Sequence, residues 1–436
     1  MAVSRAQKDS FRIVEQAYAL VGIMHMIGAL KPFFGMGSPG PDSQIPTQLV
    51  TEGSLSAQIF GTAIYMTALI LLLPRYKEVV ALASRNKALV AFVGIILISA
   101  LWSDLPEVTL RRSLALFGTT IFALYLALQF APSELLKLVA IGLGFTAVES
   151  LLLVLLVPEV AANEAFHYGA WAGALGHKNI FGRTMVLGAL VMWIVLPQAR
   201  ALKPVVWTIL ALSLIEVAMS QSRTAWVAGT CLVLAIPFLR YLRGSQGPMA
   251  ARIFLVALIG IGGLGFLVLQ FADVGLETIG RDSTFTGRTS IWESAFAFGM
   301  ERPILGHGYR TFWTRGLTNR LLIGNGHNSF LDLWLELGLV GLGAFIASFV
   351  VVVRRALKRL AQSEDRRGLW YIMFLIFLFL FSMAAQVFPD HGTIPWVLYV
   401  TTALYLTPFA QERVLDRTRG PLGQPARRIG APLPAD

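Results

Sequence analysis

The sequence has little charge and almost no cysteine. Asp, Glu, Lys and Arg make up 14% of its 436 residues, whereas about a quarter is usual in soluble domains. Cys231 is the only cysteine, so no intramolecular disulfide can form. The chain also lacks D-x-D, H-E-x-x-H and P-loop strings, so no motif indicates a metal or a nucleotide. We therefore expect a protein that uses no cofactor and no metal.

The apolar residues predict an integral membrane protein. They make up 56% of the chain, and the mean hydropathy is +0.66. We expect an all-α polytopic membrane protein, with about twelve transmembrane helices of the usual length in one transmembrane domain, residues 1–410. The first run is interpreted as a retained span because no cleavage site follows it. The predicted spans are 13–30, 57–73, 88–102, 113–130, 135–157, 180–196, 205–219, 225–239, 253–271, 329–353, 369–387 and 394–406.

The distribution of Lys and Arg predicts the orientation of these spans. Lys and Arg are concentrated at the N-terminus, after the even-numbered spans and in the C-terminal segment 411–436. We expect this basic tail to be disordered. Because cytoplasmic loops collect Lys and Arg, both termini are predicted to be cytoplasmic. The formal charge of +11 is then a topological signal and a means of contacting anionic membrane lipids. No folded basic domain is present, so nucleic-acid binding is not expected.

Several cations lie on the side where this rule does not expect them. A large extracytoplasmic loop, about 273–326, is predicted between spans nine and ten and carries six arginines. Arg111 and Arg112 open span four on the same side. An anionic ligand held at the outer face would explain these charges. The alternative is that translocated loops simply tolerate arginine.

Arg288 and Arg223 are candidate ligands for that anion. Ser290 and Glu293 fit the capping-box pattern, which predicts that Arg288 immediately precedes a helix. A helix N-terminus beside a guanidinium group is suited to phosphate. The apolar residues of this helix are predicted to lie on the bilayer surface. Arg223 falls between spans seven and eight, where the alternative is an interfacial arginine that extends toward the headgroups.

A second polar cluster opens span six. His177, Lys178, Asn179 and Arg183 lie close together in the segment GALGHKNIFGR. Gly182 permits close approach of another backbone. The cluster could hold a phosphate or a sugar. Its alternative is a polar helix start with Lys178 anchored among lipid headgroups.

His327 is the candidate proton acceptor, since histidine exchanges protons near neutral pH. It lies at the start of span ten, next to Asn328. The other outer histidines, His167, His177, His307 and His391, compete with it.

Glu216 is expensive to bury in a membrane, so a polar partner is expected. We place Glu216 about two turns below Arg223 on one helix, where an ion-pair network could support the arginine. We therefore assign Glu216 a supporting role.

These segments together resemble a known family. His327 and Asn328, followed after nine residues by Gly338 and then by Gly341, match the H-[NSQ]-x9-G-x-x-[GTY] signature of O-antigen ligases and Wzy-type polysaccharide polymerases. The segments GHKN, SRTAW and GRTSIW, with a PxxGxG element at Pro303, are similar to its ExoQ-like exopolysaccharide polymerase branch. The resemblance covers roughly residues 170–341.

The resemblance implies an inverting, metal-independent glycosyltransferase of the GT-C type. It would use a glycan linked by diphosphate to undecaprenyl, at the periplasmic face of the bacterial inner membrane. Arg288 and Arg223 would hold the diphosphate, and His327 would be the base. Further substrate contacts are expected from Arg310, His307, Asn328 and the 177–183 cluster, and the 273–326 loop would cover the site.

The acceptor is left open by the residues. A polymerase would extend another lipid-linked repeat, and the ExoQ-like segments favour it; a ligase would use lipid A core or a protein. A transporter of the same lipid-linked oligosaccharide is a second alternative, although its polar residues should lie at the membrane midplane. A non-catalytic glycan-binding protein is a third. A chain-length regulator and a flippase of the same pathway are candidate partners.

Overall fold

Helices form almost all of the regular structure. A computed structural model describes residues 5–34, 54–162, 169–243, 286–314, 326–363 and 366–407, with four isolated positions between 249 and 260. Within these residues there is no β-strand. The helices described are α1 Arg5–Ile27, α2 Leu55–Leu72, α3 Tyr76–Ser84, α4 Lys87–Ile98, α5 Pro106–Gln129, α6 Pro132–Leu156, α7 Pro158–Ala161, α8 Lys178–Val195, α9 Lys203–Met219, α10 Arg223–Leu242, α11 Thr286–Gly299, α12 Ser329–Ala361, α13 Arg366–Ala384 and α14 Ile394–Tyr405.

The described helices support a polytopic membrane protein. Seven segments are long and apolar enough to cross a membrane, and three shorter apolar helices accompany them among the described residues. The tail at 411–436 and most of the predicted span at 253–271 lie outside the described residues, as do residues 273–285 and 315–325 of the predicted 273–326 loop. The polytopic helical fold is confirmed, while the number of twelve spans stays a prediction.

The loop between α13 and α14, residues 385–393, enters the helix bundle. The backbone N–H of Gly392 donates to the Thr119 hydroxyl, 2.9 Å away and halfway along α5. The Phe388 ring packs on Phe345 of α12 with the centroids 4.2 Å apart. This loop therefore brings its polar residues in among the helices.

Helix α12 is broken by Gly338, whose φ is +64°. The break exposes backbone groups on both sides, and the segment 303–308 bonds to them. His307 and Gly308 donate to the carbonyls of residues 335 and 336, at 3.0 and 2.8 Å. Residues 339 and 340 donate to the carbonyls of Pro303 and Ile304, at 2.9 and 3.1 Å. We call residues 303–308 and 335–340 the loop–kink junction.

Only glycine fits at the centre of this junction. A Cβ atom on Gly338 would lie 2.1 Å from the Ile304 carbonyl oxygen, and one on Gly306 would lie 2.6 Å from the Glu336 backbone. Both residues also have positive φ, which favours glycine. The PxxGxG element and Gly338 of the His327 signature thus belong to one packed structure.

Helix α11 corrects two predictions. Its described part begins at Thr286, so Ser290 and Glu293 lie inside the helix and do not start it. Its apolar face was expected on the bilayer surface, but Ala295 is buried in a cluster with Leu335 and two aromatic residues at 312–313. Phe296 remains 58% exposed. The pattern gave the correct face, but protein from α12 covers it.

Candidate active site

Hydrogen bonds on both sides fix the position of His327, which precedes α12 with φ of +51°. The Asn328 side chain caps α12 by accepting from the backbone N–H groups of Phe330 and Leu331, at 2.9 and 3.2 Å. The Ser329 hydroxyl donates to the Ala385 carbonyl at 2.9 Å. His327 is half-buried and lies at the junction between the start of α12 and the 385–393 loop.

The residue before His327 is held from the other side. The Gly326 N–H donates to the Asp332 carboxylate at 2.8 Å, and the Trp313 indole donates to the same oxygen at 2.8 Å. The Gly326 carbonyl accepts from the Trp292 indole of α11 at 2.8 Å. Three separate segments therefore orient the backbone of His327.

Arg288 falls in the first described turn of α11. It lies four residues before Trp292, and residues at this spacing on a helix have Cβ atoms about 5–6 Å apart. Trp292 bonds to Gly326, so the backbone of Arg288 lies near the start of α12. The side chain of Arg288 lies outside the described residues, and its role in binding stays a prediction.

The cations of α8 and the loops converge on Asp390. Arg310, in the left-handed region with φ of +59°, forms an ion pair with the Asp390 carboxylate. Arg183 donates to the Gln386 carbonyl at 3.4 Å, and both Arg183 and Lys31 are close enough to interact electrostatically with Asp390. We call Lys31, Arg183, Arg310 and Asp390 the Asp390 cluster.

Electrostatics in the Asp390 cluster favour an added anion. Burial would raise the pKa of Asp390, but Arg310, His391 and Arg183 outweigh it and lower the pKa. Burial, together with Arg183, lowers the pKa of the Lys31 ammonium although Asp390 opposes this. Lys31 nevertheless keeps solvent exposure. Within the cluster one carboxylate faces three cations in a space that water reaches, while Glu336 of α12 also interacts with Arg310.

The other candidate histidines differ in what their surroundings allow. Burial lowers the pKa of His391 to about 4; Asp390 opposes this shift, and Arg310, Arg112 and Arg111 add to it. A base with such a pKa is a weak acceptor at neutral pH. His177 caps α8 by accepting from the Asn179 N–H at 3.2 Å. His167 lies outside the described residues.

His307 corrects a prediction. It was a candidate substrate ligand, but it is only 3% exposed. Its Nδ1 lies 2.7 Å from the Asp104 carboxylate, and its Nε2 lies 3.3 Å from the Phe298 carbonyl. The same carboxylate accepts from Arg302 at 3.0 Å. Because both ring nitrogens face protein acceptors, His307 joins three segments and does not reach a substrate.

The N-termini of α8 and α10 lie side by side. The Ser222 hydroxyl donates to the Asn179 side-chain oxygen at 2.9 Å. A Cβ atom on Gly182 would lie 2.7 Å from the Ser220 hydroxyl, so only glycine permits this approach. Lys178 and Arg223 each occupy the first position of their helix and are close enough to repel each other. Two helix N-termini and two cations form a region suited to phosphate.

Glu216 corrects another prediction. It belongs to α9, which ends at Met219, whereas Arg223 starts α10 after a turn. The two residues therefore do not share a helix. Glu216 is fully buried, and among the described residues neither carboxylate oxygen has a hydrogen-bond partner. The expected ion pair with Arg223 is wrong because the turn at 220–222 reverses the chain.

The sequence alone did not identify Asp390, Lys31 and Gln386 as site residues. Asp390 lies in FPDHGTIPW, where the adjacent His391 had been noted as one of several histidines. Lys31 is a single cation that follows the first predicted span. Neither has a motif, so only the fold shows that they meet Arg310 and Arg183.

Comparisons with known proteins agree with the motifs. Residues 208–346 match the family model described as O-antigen ligase. The chain is also 27% identical over 377 residues to the exopolysaccharide production protein ExoQ of Rhizobium meliloti strain 1021, covering 80% of this chain and 84% of that protein. These matches confirm the predicted resemblance to the O-antigen ligase family and to its ExoQ-like branch. The matched family segment includes Arg223, Arg288 and His327.

Proposed function

We propose that the protein is a polysaccharide polymerase that joins undecaprenyl-diphosphate-linked glycans at the periplasmic face of the inner membrane. The observation that carries this proposal is the placement of His327 at the start of α12, beside the 385–393 loop. Asp390 of this loop forms an ion pair with Arg310 in the Asp390 cluster. A proton acceptor and an anion-binding region are the two elements that such a transfer requires.

The transfer is a single displacement. The acceptor hydroxyl oxygen bonds to the anomeric carbon of the donor, and the bond from that carbon to the diphosphate oxygen breaks. His327 accepts the hydroxyl proton, and the diphosphate leaves with the bonding electrons. Arg223 and Arg288 neutralise the charge that develops on the diphosphate. Because attack and departure are in line, the anomeric configuration inverts.

The surrounding residues support these roles. The cap by Asn328 and the bonds of Gly326 keep the His327 backbone in a conformation that non-glycine residues seldom adopt. The N-termini of α8 and α10 provide Lys178 and Arg223 for one phosphate region. Arg183, which follows in α8, links this region to the Asp390 cluster because it donates to the Gln386 carbonyl of the 385–393 loop. No metal is needed for this chemistry.

A ligase is the second candidate, because the family model that matches residues 208–346 is described as O-antigen ligase. Its chemistry at the donor would be the same, and only the acceptor would differ. Lipid A core or a protein would then replace the second lipid-linked repeat.

Glycan analysis in a deletion strain tests the proposal. Cells complemented with wild type should make long polymer, whereas His327→Gln should accumulate single lipid-linked repeats, with transfer reduced at least about 100-fold. Arg223→Gln and Arg288→Gln should do the same, and Arg354→Gln, an exposed cation on α12, is the matched control. Long lipid-linked polymer that stays untransferred would identify a ligase instead. Unchanged glycan in the His327 variant, at matched protein levels, would refute the assignment of the base.

A further inference from the structure

A cavity lies at the end of the bundle opposite to His327. Helix α4 starts there at Lys87 and runs toward Trp102, which bonds to the Leu305 carbonyl next to the candidate site. Helix α12 runs the other way, from Ser329 beside that site. Between them is a cavity of about 380 Å³. Its lining residues are Ser84, Arg85, Asn86, Lys87, Ala88, Leu89, Ser348, Val351, Val352 and Arg355.

The lining is cationic at its rim and apolar at its floor. Arg85, Lys87 and Arg355 line it without any acidic side chain. The Arg355 guanidinium is fixed because it donates to the Asn86 side chain at 2.7 Å and to the Arg85 carbonyl at 2.8 Å. Arg85 and Lys87 are exposed. The cavity thus has one oriented cation, Arg355, and two solvent-exposed cations at its rim.

The start of α4 also lacks a side-chain cap. Asn86 occupies the cap position, but its side chain donates to the Leu82 carbonyl at 2.9 Å and makes no capping bond. The Asn86 side chain therefore satisfies none of the first N–H groups of α4, which open onto the cavity. The floor, formed in part by Leu89 and Val352, is apolar and buried, whereas Val351 beside it is 38% exposed.

We propose that this cavity binds the headgroup of an anionic glycerophospholipid. The phosphate oxygens accept from Arg85, Lys87 and the remaining N–H groups of Arg355, and an acyl chain leaves along the exposed side of α12 at Val351. Charge complementarity selects an anionic over a zwitterionic lipid. The apolar floor selects a lipid over a free phosphate. This site is separate from the transfer site, and its occupation does not depend on the proposed function.

Lipid retention by the full-length protein tests this inference. Purified protein is equilibrated with phosphatidylglycerol, phosphatidylcholine or glycerol phosphate, and bound molecules are counted by native mass spectrometry. Wild type should retain one phosphatidylglycerol and neither of the other two. Arg85→Gln with Lys87→Gln should weaken retention about 25-fold, since each cation near an anionic lipid contributes about fivefold. Arg354→Gln with Arg359→Gln removes the same charge from exposed positions on α12 outside the cavity and should change nothing.

A further variant separates the lipid from its phosphate. Val351→Trp keeps all three cations but fills the side where the acyl chain leaves, so phosphatidylglycerol retention should fall. An equal loss of phosphatidylglycerol retention in the Arg85/Lys87 variant and in the Arg354/Arg359 control would overturn the site. The lipid would then be attracted by the overall positive charge and not by the cavity. Retention of phosphatidylcholine as strong as that of phosphatidylglycerol would also overturn it. Binding of glycerol phosphate alone would show an anion site and refute the lipid assignment.

Discussion

At the scale of single residues, charge balance around Asp390 matters most. One carboxylate lies among Arg310, Arg183 and Lys31, and it neutralises part of their charge in the free protein. In the proposed reaction a diphosphate would add negative charge to this region. The carboxylate would then limit how tightly a product diphosphate is held. In that reaction Asp390 would favour release of the diphosphate, and the surrounding cations would favour its binding.

His391 gives a residue-scale prediction about pH. Its folded-state pKa of about 4 lies below the usual value of about 6.5, so the unfolded state binds the proton first as the pH falls. The contribution of His391 to stability is therefore complete above about pH 6.5 and declines toward pH 4. Thermal unfolding in detergent across this window should show wild type losing more stability than His391→Gln. Parallel curves for the two proteins would contradict the prediction.

At the scale of elements, the loop–kink junction and the pairing of α8 with α10 position the candidate site. In both places a glycine lets backbones or helices approach more closely than a side chain would allow. His327 lies just before α12, which carries the kink, and Arg223 is the first residue of α10. The site geometry therefore depends on contacts that carry no charge.

Gly338 tests the junction. Gly338→Ala should destabilise the protein by about 2–4 kcal/mol, because its φ is positive and its Cβ would meet the Ile304 carbonyl. Gly343→Ala on the same helix is the control, since a Cβ there meets nothing within 4 Å. That control should stay within about 1 kcal/mol of wild type. Equal unfolding temperatures for both variants would show that the junction contributes nothing.

Gly182 tests the pairing of helix N-termini. Gly182→Val should push α8 away from Ser220 and Ser222 and separate Lys178 from Arg223. The loss in free energy of donor binding should therefore exceed the loss in free energy of unfolding. Gly229→Ala on α10, whose Cβ would make an ordinary contact at 3.7 Å with Val186, should leave binding intact. Isothermal titration with a soluble prenyl-diphosphate analogue measures this. An unchanged dissociation constant for Gly182→Val would argue against a phosphate region here.

At the scale of the whole molecule, composition predicted more than motif spacing did. Apolar runs located most of the described helices because bilayer burial demands long apolar segments. The apolar run at 329–353 located the start of α12, which begins at Ser329. Contacts distant in sequence were missed: Arg310 and Asp390 are 80 residues apart, and His307 and Asp104 are 203 apart. Glu216 was misassigned because one turn reversed the chain.

Orientation is the remaining prediction at this scale, with both termini in the cytoplasm. Because Cys231 is the only cysteine, a Cys231→Ser background gives a chain without thiols. Glu301→Cys near the loop–kink junction should react with a membrane-impermeant maleimide in intact spheroplasts. Ser84→Cys at the other end should react only after permeabilisation. The reverse pattern would invert the topology and move the proposed transfer to the cytoplasm.

The loop–kink junction has a consequence for chimeric proteins. Residues 303–308 and 335–340 bond to each other through their backbones, although His327 and the turn before it lie between them in the chain. If only one of these two segments were exchanged for that of a relative, it would pack against a partner from a different protein. The close packing at Gly306 and Gly338 would then be disrupted. Engineers who want to transplant acceptor preference between relatives should therefore exchange residues 303–340 as a single cassette.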